Sequence, residues 1–278
     1  MKTIATLGPE GTFSDAATRL YVGARDEDHE IRYFDSIRST LRAVGASCDR
    51  GVLPVENFSE GHVSLVIDHL VDSDLSIVGE IMLPIRFAFV SRAETVGDVD
   101  TIHVQFAAKG QCSEFLDAMD GIRIVTTESN MESLERVRSG GDANGAIVPA
   151  GAFSRGDFRL VDDDVGDFKD NQTRFVVLSP EADTQSDAAR AGCKTSLVVF
   201  GDQDHPGLLE GILSPFARRN INLSSIVSRP SRRSFGVYHF FIDIEGHAAD
   251  DDVAAALGDV GHAYRIKLLG SYPRAGSA

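Results

Sequence analysis

The chain has 278 residues, and its 42 acidic side chains against 27 basic ones give a formal net charge of −15. Hydrophobic residues make up 42% of the sequence, which is enough for packed cores and excludes wholesale disorder. An acidic surface of this kind repels a phosphate backbone, so we expect no nucleic-acid partner.

Signals for membrane insertion, secretion, disulfides and zinc are all weak. No apolar run reaches the ~18–20 residues of a membrane helix, and no apolar core of a signal peptide follows Lys2. Cys48, Cys112 and Cys193 stand far apart, without metal-ligand spacing. We therefore expect a cytoplasmic protein without membrane contact, disulfide framework or metal site.

The acidic excess consists mainly of aspartate. The chain has 28 Asp and 14 Glu, while only 5 of its basic residues are lysines. Screening over ~3 Å at about 1 M salt weakens the self-repulsion of such a surface. The composition suggests the hypothesis of a salt-adapted (halophilic) cytoplasm, with an ordinary acidic enzyme as the alternative; loss of activity in molar KCl would contradict the hypothesis.

Hydrophobic periodicity predicts alternating strands and helices over residues 2–90. A helix carrying Ala16, Ala17 and Leu20 follows the first strand, with Thr12 or Ser14 as its cap. Such alternation is typical of an α/β layer with a largely parallel sheet. The expected strands lie at residues 2–7, 31–34, 51–55, 75–83 and 85–90, and two further helices at 36–44 and 63–71.

A second alternating series predicts another α/β lobe, with a ligand cleft between the two. We place lobe 1 at about residues 1–78 and 162–180 and lobe 2 at about residues 79–161, together a domain of residues 1–180. Strands are expected at 101–104, 122–126, 145–148, 159–161 and 174–178, and helices at 111–119 and 131–138.

The pattern changes after a small, polar segment that we interpret as a linker at residues 181–193. Residues 194–272 then predict the order βαββαβ, which is a ferredoxin-like unit. Its strands are expected at 194–200, 221–227, 235–244 and 262–269, and its helices at 207–219 and 250–257.

Two glycine-containing stretches follow predicted strands in lobe 1. Residues 8–14 (GPEGTFS) offer backbone N–H groups at a helix start, which favour an anion, although a capped turn is the simpler alternative. Residues 54–61 (PVENFSEG) place Glu56 and Asn57 at a sheet edge where open α/β sheets bind ligands. The alternative there is a turn that uses Asn and Gly for backbone geometry.

Two further stretches carry polar side chains beside strands. Residues 170–175 (DNQTRF) combine a guanidinium, which clamps carboxylates, with hydrogen-bonding groups; an exposed strand start is the alternative. The C-terminal part has HPGLL at residues 205–209, NINL at 220–223 and SRP at 228–230. These positions suit a small amino-acid ligand, or ordinary capping and a strand exit.

In this order, the four stretches resemble the prephenate dehydratase family with a C-terminal ACT domain. Residues 8–14 match the family's GPxGTFS motif, residues 54–61 its PxENSxEG motif except at one position, and residues 171–175 its NxTRF motif. The GALxxxL helix start corresponds to residues 207–213 and the ESRP motif to residues 227–230. Each motif is weak alone, but the ordered set covers nearly the whole chain and is highly specific.

The resemblance implies a two-lobed dehydratase domain similar to type II periplasmic binding proteins, followed by an ACT domain. It implies conversion of prephenate to phenylpyruvate, water and CO2 without a cofactor, with feedback by L-phenylalanine and a homodimer or homotetramer. Thr173 is then catalytic. The implied substrate-binding residues are Thr12, Phe13, Ser14, Glu56, Asn57, Gln105, Asn171 and Arg174, and the effector-binding residues are Gly207, Leu208, Leu209, Asn222, Leu223, Ser224, Ser228, Arg229 and Pro230.

Three positions depart from the family pattern. Phe58 replaces a serine, with Ser59 adjacent, and Val227 replaces the glutamate of ESRP. The glutamine of a loosened HPQALxQC segment is either Gln105, which we rank first, or Gln111. In a regular strand, residues 173 and 174 point to opposite faces, so their two roles conflict.

The sequence leaves two alternative functions open. A small-ligand-binding or ACT regulatory protein without activity fits the two-lobed shape and the change at position 58. An arogenate dehydratase has the same motifs.

Overall fold

The computed structural model describes residues 1–25, 27–182, 192–201, 204–232 and 235–276. Most of the predicted linker, residues 183–191, lies outside that part of the chain. The described residues form three sheets with helices packed on them. Within those ranges no helix combines the length and the apolar character needed to cross a membrane.

Lobe 1 is built on a mixed sheet with strand order β2-β1-β3-β11-β5. β1 runs parallel to β2 and β3, but β11 is antiparallel to both β3 and β5, so the expectation of a largely parallel sheet is wrong. A late strand inserted between two early ones brings residues distant in sequence to the centre of the sheet. The elements are β1 (Lys2–Leu7), α1 (Phe13–Gly23), β2 (His29–Phe34), α2 (Ile37–Ala43), β3 (Arg50–Asn57), β4 (Gly61–His62), α3 (Ser64–Asp72), β5 (Ser76–Pro84) and β11 (Gln172–Ser179).

The helices of lobe 1 follow their sequence signals closely. The Thr12 hydroxyl accepts the Asp15 N–H at the start of α1, and Ser36 and Ser39 form a capping box at the start of α2. α3 buries Val66, Ile67 and Leu70 on one face, as their helical spacing predicts.

Lobe 2 has a second mixed sheet with strand order β10-β6-β9-β7-β8. The helix expected at residues 111–119 is replaced by two short helices that meet at Cys112. The carboxylate of Asp167 accepts the N–H groups of Ser113 and Glu114, so a distant residue caps the second helix and restarts it. The elements are β6 (Phe87–Ser91), β7 (Thr101–Gln105), α4 (Phe106–Gln111), α5 (Ser113–Asp117), β8 (Arg123–Thr127), α6 (Asn130–Ser139), β9 (Asn144–Pro149) and β10 (Leu160–Asp163), with short 3-10 turns at Val96–Asp98 and Arg155–Asp157.

The chain crosses between the lobes at residues 85–86 and 164–171, not at the boundaries expected near 78 and 162. β5 pairs with β11 from Ser76 through Pro84, so the whole strand belongs to lobe 1. β10 pairs with β6 and therefore belongs to lobe 2. The hydrophobic pattern alone does not reveal which sheet a strand joins.

The C-terminal domain has the predicted βαββαβ order and an antiparallel sheet in the order β13-β14-β12-β15. Its two helices cover one face, where Leu197, Ile212 and Val260 are fully buried. The ferredoxin-like expectation is confirmed. The elements are β12 (Cys193–Phe200), α7 (Leu208–Ala217), β13 (Leu223–Pro230), β14 (Tyr238–Glu245), α8 (Asp251–Ala263) and β15 (Arg265–Pro273).

The other face of this sheet packs on lobe 1 and shares one hydrophobic core with it. Val198 and Leu269 of the C-terminal domain lie in the same buried cluster as Leu53 and Ile67 of lobe 1. β15 approaches β5 so closely at Gly270 that a Cβ there would lie 2.1 Å from the Ile77 carbonyl oxygen. The two domains are therefore joined by a packed interface.

Two basic side chains of the C-terminal domain bind helix α3. The Lys267 ammonium donates to the carbonyls of Leu70 and Val71, which end that helix. Arg229 binds the Asp68 carboxylate through two nitrogens, at 2.7 and 2.9 Å. Hydrogen bonding from Arg229 holds the pKa of Asp68 below its ordinary value, against the opposing effect of burial.

This pair predicts an acid-sensitive contribution to stability. Because the pKa of Asp68 is lower in the folded state, its stabilisation is present above about pH 4 and is lost as pH falls through the folded pKa. Asp68→Asn should remove that part of the pH dependence and cost at most about 1 kcal/mol at pH 7. Urea unfolding midpoints of the wild-type chain and of Asp68→Asn, measured from pH 3 to 7, test this prediction. The same change of midpoint with pH in both proteins would contradict it.

Candidate active site

A β-bulge sets which side chains face each other at the end of β3. Phe175 of β11 pairs with Pro54, but Arg174 pairs with Glu56, so Val55 is an extra residue without a partner. In an unbulged ladder Thr173 would be opposite Glu56. The extra residue instead places Asn57 opposite Thr173.

The Asn57 side-chain amide donates to the Thr173 hydroxyl oxygen at 2.8 Å. The amide cannot be reversed without cost, because its oxygen accepts hydrogen bonds from the Ser59 N–H, the Ser59 hydroxyl and the Glu60 N–H. Thr173 is 7% exposed, and its hydroxyl proton has no acceptor within the described part of the chain. The threonine is thus oriented as a hydrogen-bond donor.

The contacts of Asn57 also explain the departure at position 58. The Phe58 side chain is 71% exposed and its N–H donates to the Gln172 carbonyl oxygen at 2.9 Å, while Ser59 supplies the hydroxyl that holds the Asn57 amide.

Asn171 and Gln111 extend this arrangement into lobe 2. The Asn171 oxygen accepts from Asn57 at 3.1 Å, and its amide nitrogen donates to the Gln111 side-chain oxygen at 2.8 Å. We call Asn57, Gln111, Asn171 and Thr173 the amide cluster. It spans the crossing between the lobes, because Asn171 immediately precedes β11 and Gln111 ends α4.

The geometry favours Gln111 over Gln105 as the glutamine that acts at the site. The Gln105 side-chain oxygen accepts the N–H groups of Ala107 and Ala108 and caps α4. Gln111 is the glutamine that reaches the amide cluster. Gln105 ends β7 and caps the start of α4, whereas Gln111 is the last residue of α4, and the sequence alone does not show which of the two reaches Asn171.

A cavity of about 580 Å³ lies between the two lobes, which we call the interlobe cleft. The four residues of the amide cluster are not among the residues that line the cleft, but Leu83, the cross-strand neighbour of Thr173 on β5, is one of them. The lining includes Glu10, Gly11, Thr12, Phe13, Asp15, Arg19, Leu83 and Pro84 from lobe 1 and Met131, Pro149, Ala150, Gly151 and Ala152 from lobe 2, with Arg86 at the crossing.

The loop at residues 8–14 forms one wall of this cleft. Gly11 has φ +86° and faces the Met131 sulfur so closely that a Cβ would lie 2.8 Å from it. The Gly11 N–H donates to the Asp15 carboxylate at 2.9 Å, so the protein's own acid occupies part of the predicted anion site. The N–H groups of Phe13 and Ser14 have no acceptor among the described residues.

Arg86 is the cation of the cleft that remains available. Arg19 is bound to Asp15 at 2.9 Å and to Glu10, whereas Arg86 is exposed and forms no ion pair in the ranges described. Sequence reasoning missed Arg86, because only the fold places the lobe crossing at the cleft.

Tyr33 completes the polar contacts of Asp15. Its hydroxyl donates to the carboxylate at 2.7 Å, and burial together with that carboxylate raises the pKa of Tyr33 to about 12. The phenol therefore stays protonated and supports Asp15 at neutral pH.

The predicted substrate residues Arg174 and Glu56 contact other protein groups and are not among the residues that line the cleft. Arg174 donates to the Glu80 carboxylate at 2.8 Å and the Tyr272 hydroxyl at 2.9 Å, and to the Asp243 carboxylate. Glu56, its cross-strand partner, lies 3.8 Å from the Arg174 guanidinium. As strand alternation requires, residues 173 and 174 occupy opposite faces, and only Thr173 faces the amide cluster.

A second cavity, of about 570 Å³, lies at the start of α7 and brings together part of the predicted effector site. Gly207, Leu208, Leu209 and Ser228 line it, with Asp204, His205, Glu210, Gly236, Tyr238 and Phe240. Asn222, Leu223, Ser224 and Pro230 lie on or beside the edge strand β13 outside the lining, and Arg229 is bound to Asp68.

Comparison with known proteins gives matches along the whole chain. The family model for prephenate dehydratase matches residues 4–183, and that for the ACT domain matches residues 195–262. A prephenate dehydratase of Methanocaldococcus jannaschii is 32% identical over 95% of this chain and 96% of its own length. A bifunctional chorismate mutase/prephenate dehydratase of Aquifex aeolicus is 30% identical over 98% of this chain and 74% of its own.

A solved structure matches the fold of the whole chain as well. The prephenate dehydratase of Arthrobacter aurescens, in complex with L-Phe, has a TM-score of 0.86 at 31% identity and covers 99% of this chain and 91% of its own. With the ordered motifs at the amide cluster and the cleft, these matches show that the chain belongs to the prephenate dehydratase family and carries a C-terminal ACT domain.

Proposed function

We propose that the chain converts prephenate to phenylpyruvate, water and CO2, with Thr173 as its catalytic residue. The observation that carries the proposal is the Thr173 hydroxyl, which accepts from a fixed Asn57 amide at 2.8 Å and keeps its own proton for a ligand. The conversion needs no external oxidant or reductant, because the electron pair left by CO2 is taken up as hydroxide departs. Aromatisation of the ring supplies the driving force.

In the reaction the bond between the ring and its carboxylate breaks, and the electron pair moves into the ring as CO2 leaves. The ring C–O bond breaks at the opposite carbon, and the oxygen departs as hydroxide, which solvent protonates to water. Threonine is a weak acid at neutral pH, so Thr173 acts by a hydrogen bond that strengthens as charge develops on the leaving oxygen. Asn57 donates to Thr173 and increases the donor strength of its O–H.

Substrate binding is assigned to the groups that line the cleft. Arg86 binds one carboxylate, and the N–H groups of Phe13 and Ser14, at the positive end of α1, contribute to the same anionic substrate. Thr12 acts indirectly, by capping that helix. Asn171 and Gln111 hold Asn57 in register across the lobes.

L-Phenylalanine is the proposed effector, bound in the cavity lined by Gly207, Leu208, Leu209 and Ser228. We also propose a homo-oligomer, which is supported by β13, an edge strand on which Ile226 is 45% exposed. L-Phenylalanine should inhibit turnover and raise the Tm, and Ser228→Trp, which fills the cavity, should abolish both effects while leaving turnover without effector intact. Equal responses of both proteins to L-phenylalanine would remove this cavity from the proposal.

One assay tests the activity itself. The purified chain is mixed with prephenate and, separately, with arogenate, and phenylpyruvate and phenylalanine are followed by chromatography. Phenylpyruvate formed from prephenate is the expected product. Turnover of arogenate alone would favour an arogenate dehydratase, and turnover of neither would favour a regulatory protein. Comparing the turnover of prephenate at 0.1 M and at molar KCl tests the proposal that the protein works in a salt-rich cytoplasm. Activity should be retained at molar KCl.

A further inference from the structure

Six side chains form a buried polar network between lobe 1 and the ACT domain. Arg174 is 6% exposed, and Asp243 and Tyr272 are fully buried. We call this group the Arg174 network. Its members are Glu80 and Arg174 from lobe 1 and Lys194, Ser196, Asp243 and Tyr272 from the ACT domain.

The hydrogen bonds of the network fix the guanidinium completely. Each of its three nitrogens has its own acceptor, in Glu80, Asp243 and Tyr272. Ser196 donates to the other Asp243 oxygen and accepts from Tyr272, which closes a ring from Arg174 back to Asp243.

Lys194 pairs with Glu80 at 3.0 Å and Arg174 contacts the carboxylates of Glu80 and Asp243, so the formal charges of the six members balance; the Glu56 carboxylate lies 3.8 Å from the guanidinium at the edge of the network. Burial favours the neutral acid, yet Arg174 and Lys194 keep the pKa of Glu80 below its ordinary value. Glu80 is therefore held as a carboxylate beside two cations, and loss of one charged member would leave a buried partner unpaired.

The network is attached directly to the catalytic strand. Arg174 follows Thr173 in β11, and the register of β11 against β3 shifts immediately after Arg174. A displacement of the guanidinium is therefore passed through one peptide unit to the residue whose hydroxyl must meet Asn57. Two other polar contacts between the domains, Arg229 with Asp68 and Lys267 with the Leu70 carbonyl, end on helix α3 instead.

We propose that Arg174 is a positioning residue, through which the ACT domain holds the Thr173 hydroxyl in place. The inference rests on the proposed dehydratase function and adds the route by which an effector reaches the site. An effector that binds more tightly to another arrangement of the ACT sheet and lobe 1 would move β11 and lower turnover. The size of this effect is set by the difference between the effector's affinities for the two arrangements.

The test compares two carboxylate-to-amide changes at the same domain interface. Asp243→Asn removes the charge and replaces one of two acceptor oxygens, used by Arg174 and Ser196, with a donor NH2; it should lower kcat for prephenate about ten- to a hundredfold with KM within about twofold. Asp68→Asn is the matched control, since it removes a carboxylate that does not touch β11, and should leave kcat unchanged. L-Phenylalanine binding is measured by calorimetry and its inhibition by kinetics; in Asp243→Asn binding should persist while inhibition falls at least about fivefold.

Tyr272→Phe serves as the second variant, because removing a buried charge also destabilises the fold. It opens the hydrogen-bond ring without changing any charge and should lower kcat about threefold to tenfold. A network that is only structural would lower the Tm and leave the kcat of the folded enzyme unchanged, and that result in Tyr272→Phe or Asp243→Asn would overturn the inference. Equal kcat losses in Asp68→Asn would also overturn it, whereas a wild-type chain without prephenate turnover would defeat the proposed function.

Discussion

Replacing Thr173 with alanine should lower kcat for prephenate by about 10²–10³-fold, with KM nearly unchanged. On the proposed mechanism, the change removes a single preorganised hydroxyl that contacts the leaving oxygen in the transition state. The same proposal assigns substrate binding to other groups, chiefly Arg86 and the start of α1, so binding should persist. Initial rates of phenylpyruvate formation over a range of prephenate concentrations measure both constants.

Thr173→Ser is the matched control for this change. Serine keeps a hydroxyl within reach of the Asn57 amide but loses the methyl group that restricts its rotation. We expect kcat within about tenfold of the wild-type value. Near-normal turnover in Thr173→Ala would remove Thr173 from the mechanism, and an equally large loss in Thr173→Ser would mean that the methyl group matters more than the hydroxyl.

The second large effect is expected at Arg86. Arg86→Gln should raise KM for prephenate about ten- to a hundredfold, because a charge-assisted hydrogen bond to a carboxylate is worth about 1.5–3 kcal/mol. The effect on kcat should be smaller, since the carboxylate is bound in the ground state as well as in the transition state.

Arg123→Gln controls for the change in net charge. Arg123 is an exposed arginine on β8 in the same lobe, away from the cleft lining, and its loss should leave KM within about twofold. Arg86→Lys should restore part of the affinity, because it returns the charge without the two-pronged geometry. An unchanged KM in Arg86→Gln would exclude Arg86 from substrate binding.

Much of the fold follows from periodicity and capping. The strand at Lys2–Leu7, the Thr12 cap and the buried face of α3 are read directly from local sequence, and so is the βαββαβ order of the ACT domain. Local patterns determine these features because each depends on neighbouring residues alone.

Which residues of two neighbouring strands face each other, by contrast, depends on how the strands pair. Asn57 faces Thr173 only because Val55 bulges, and the bulge exists only when β3 pairs with β11. The same dependence applies to Arg174, whose acceptors Asp243 and Tyr272 lie in another domain and are not predictable from the DNQTRF stretch alone. Arg86 was missed because its role depends on where the chain crosses between the lobes.

A structure with a ring-saturated prephenate analogue, which cannot aromatise, tests the central claim most directly. The account predicts the ring hydroxyl oxygen about 2.6–3.2 Å from the Thr173 hydroxyl. In the same structure Asn57 should still donate to Thr173, and Arg86 should contact a carboxylate of the analogue. A ring hydroxyl that points away from β11, or an analogue bound outside the interlobe cleft, would contradict the account.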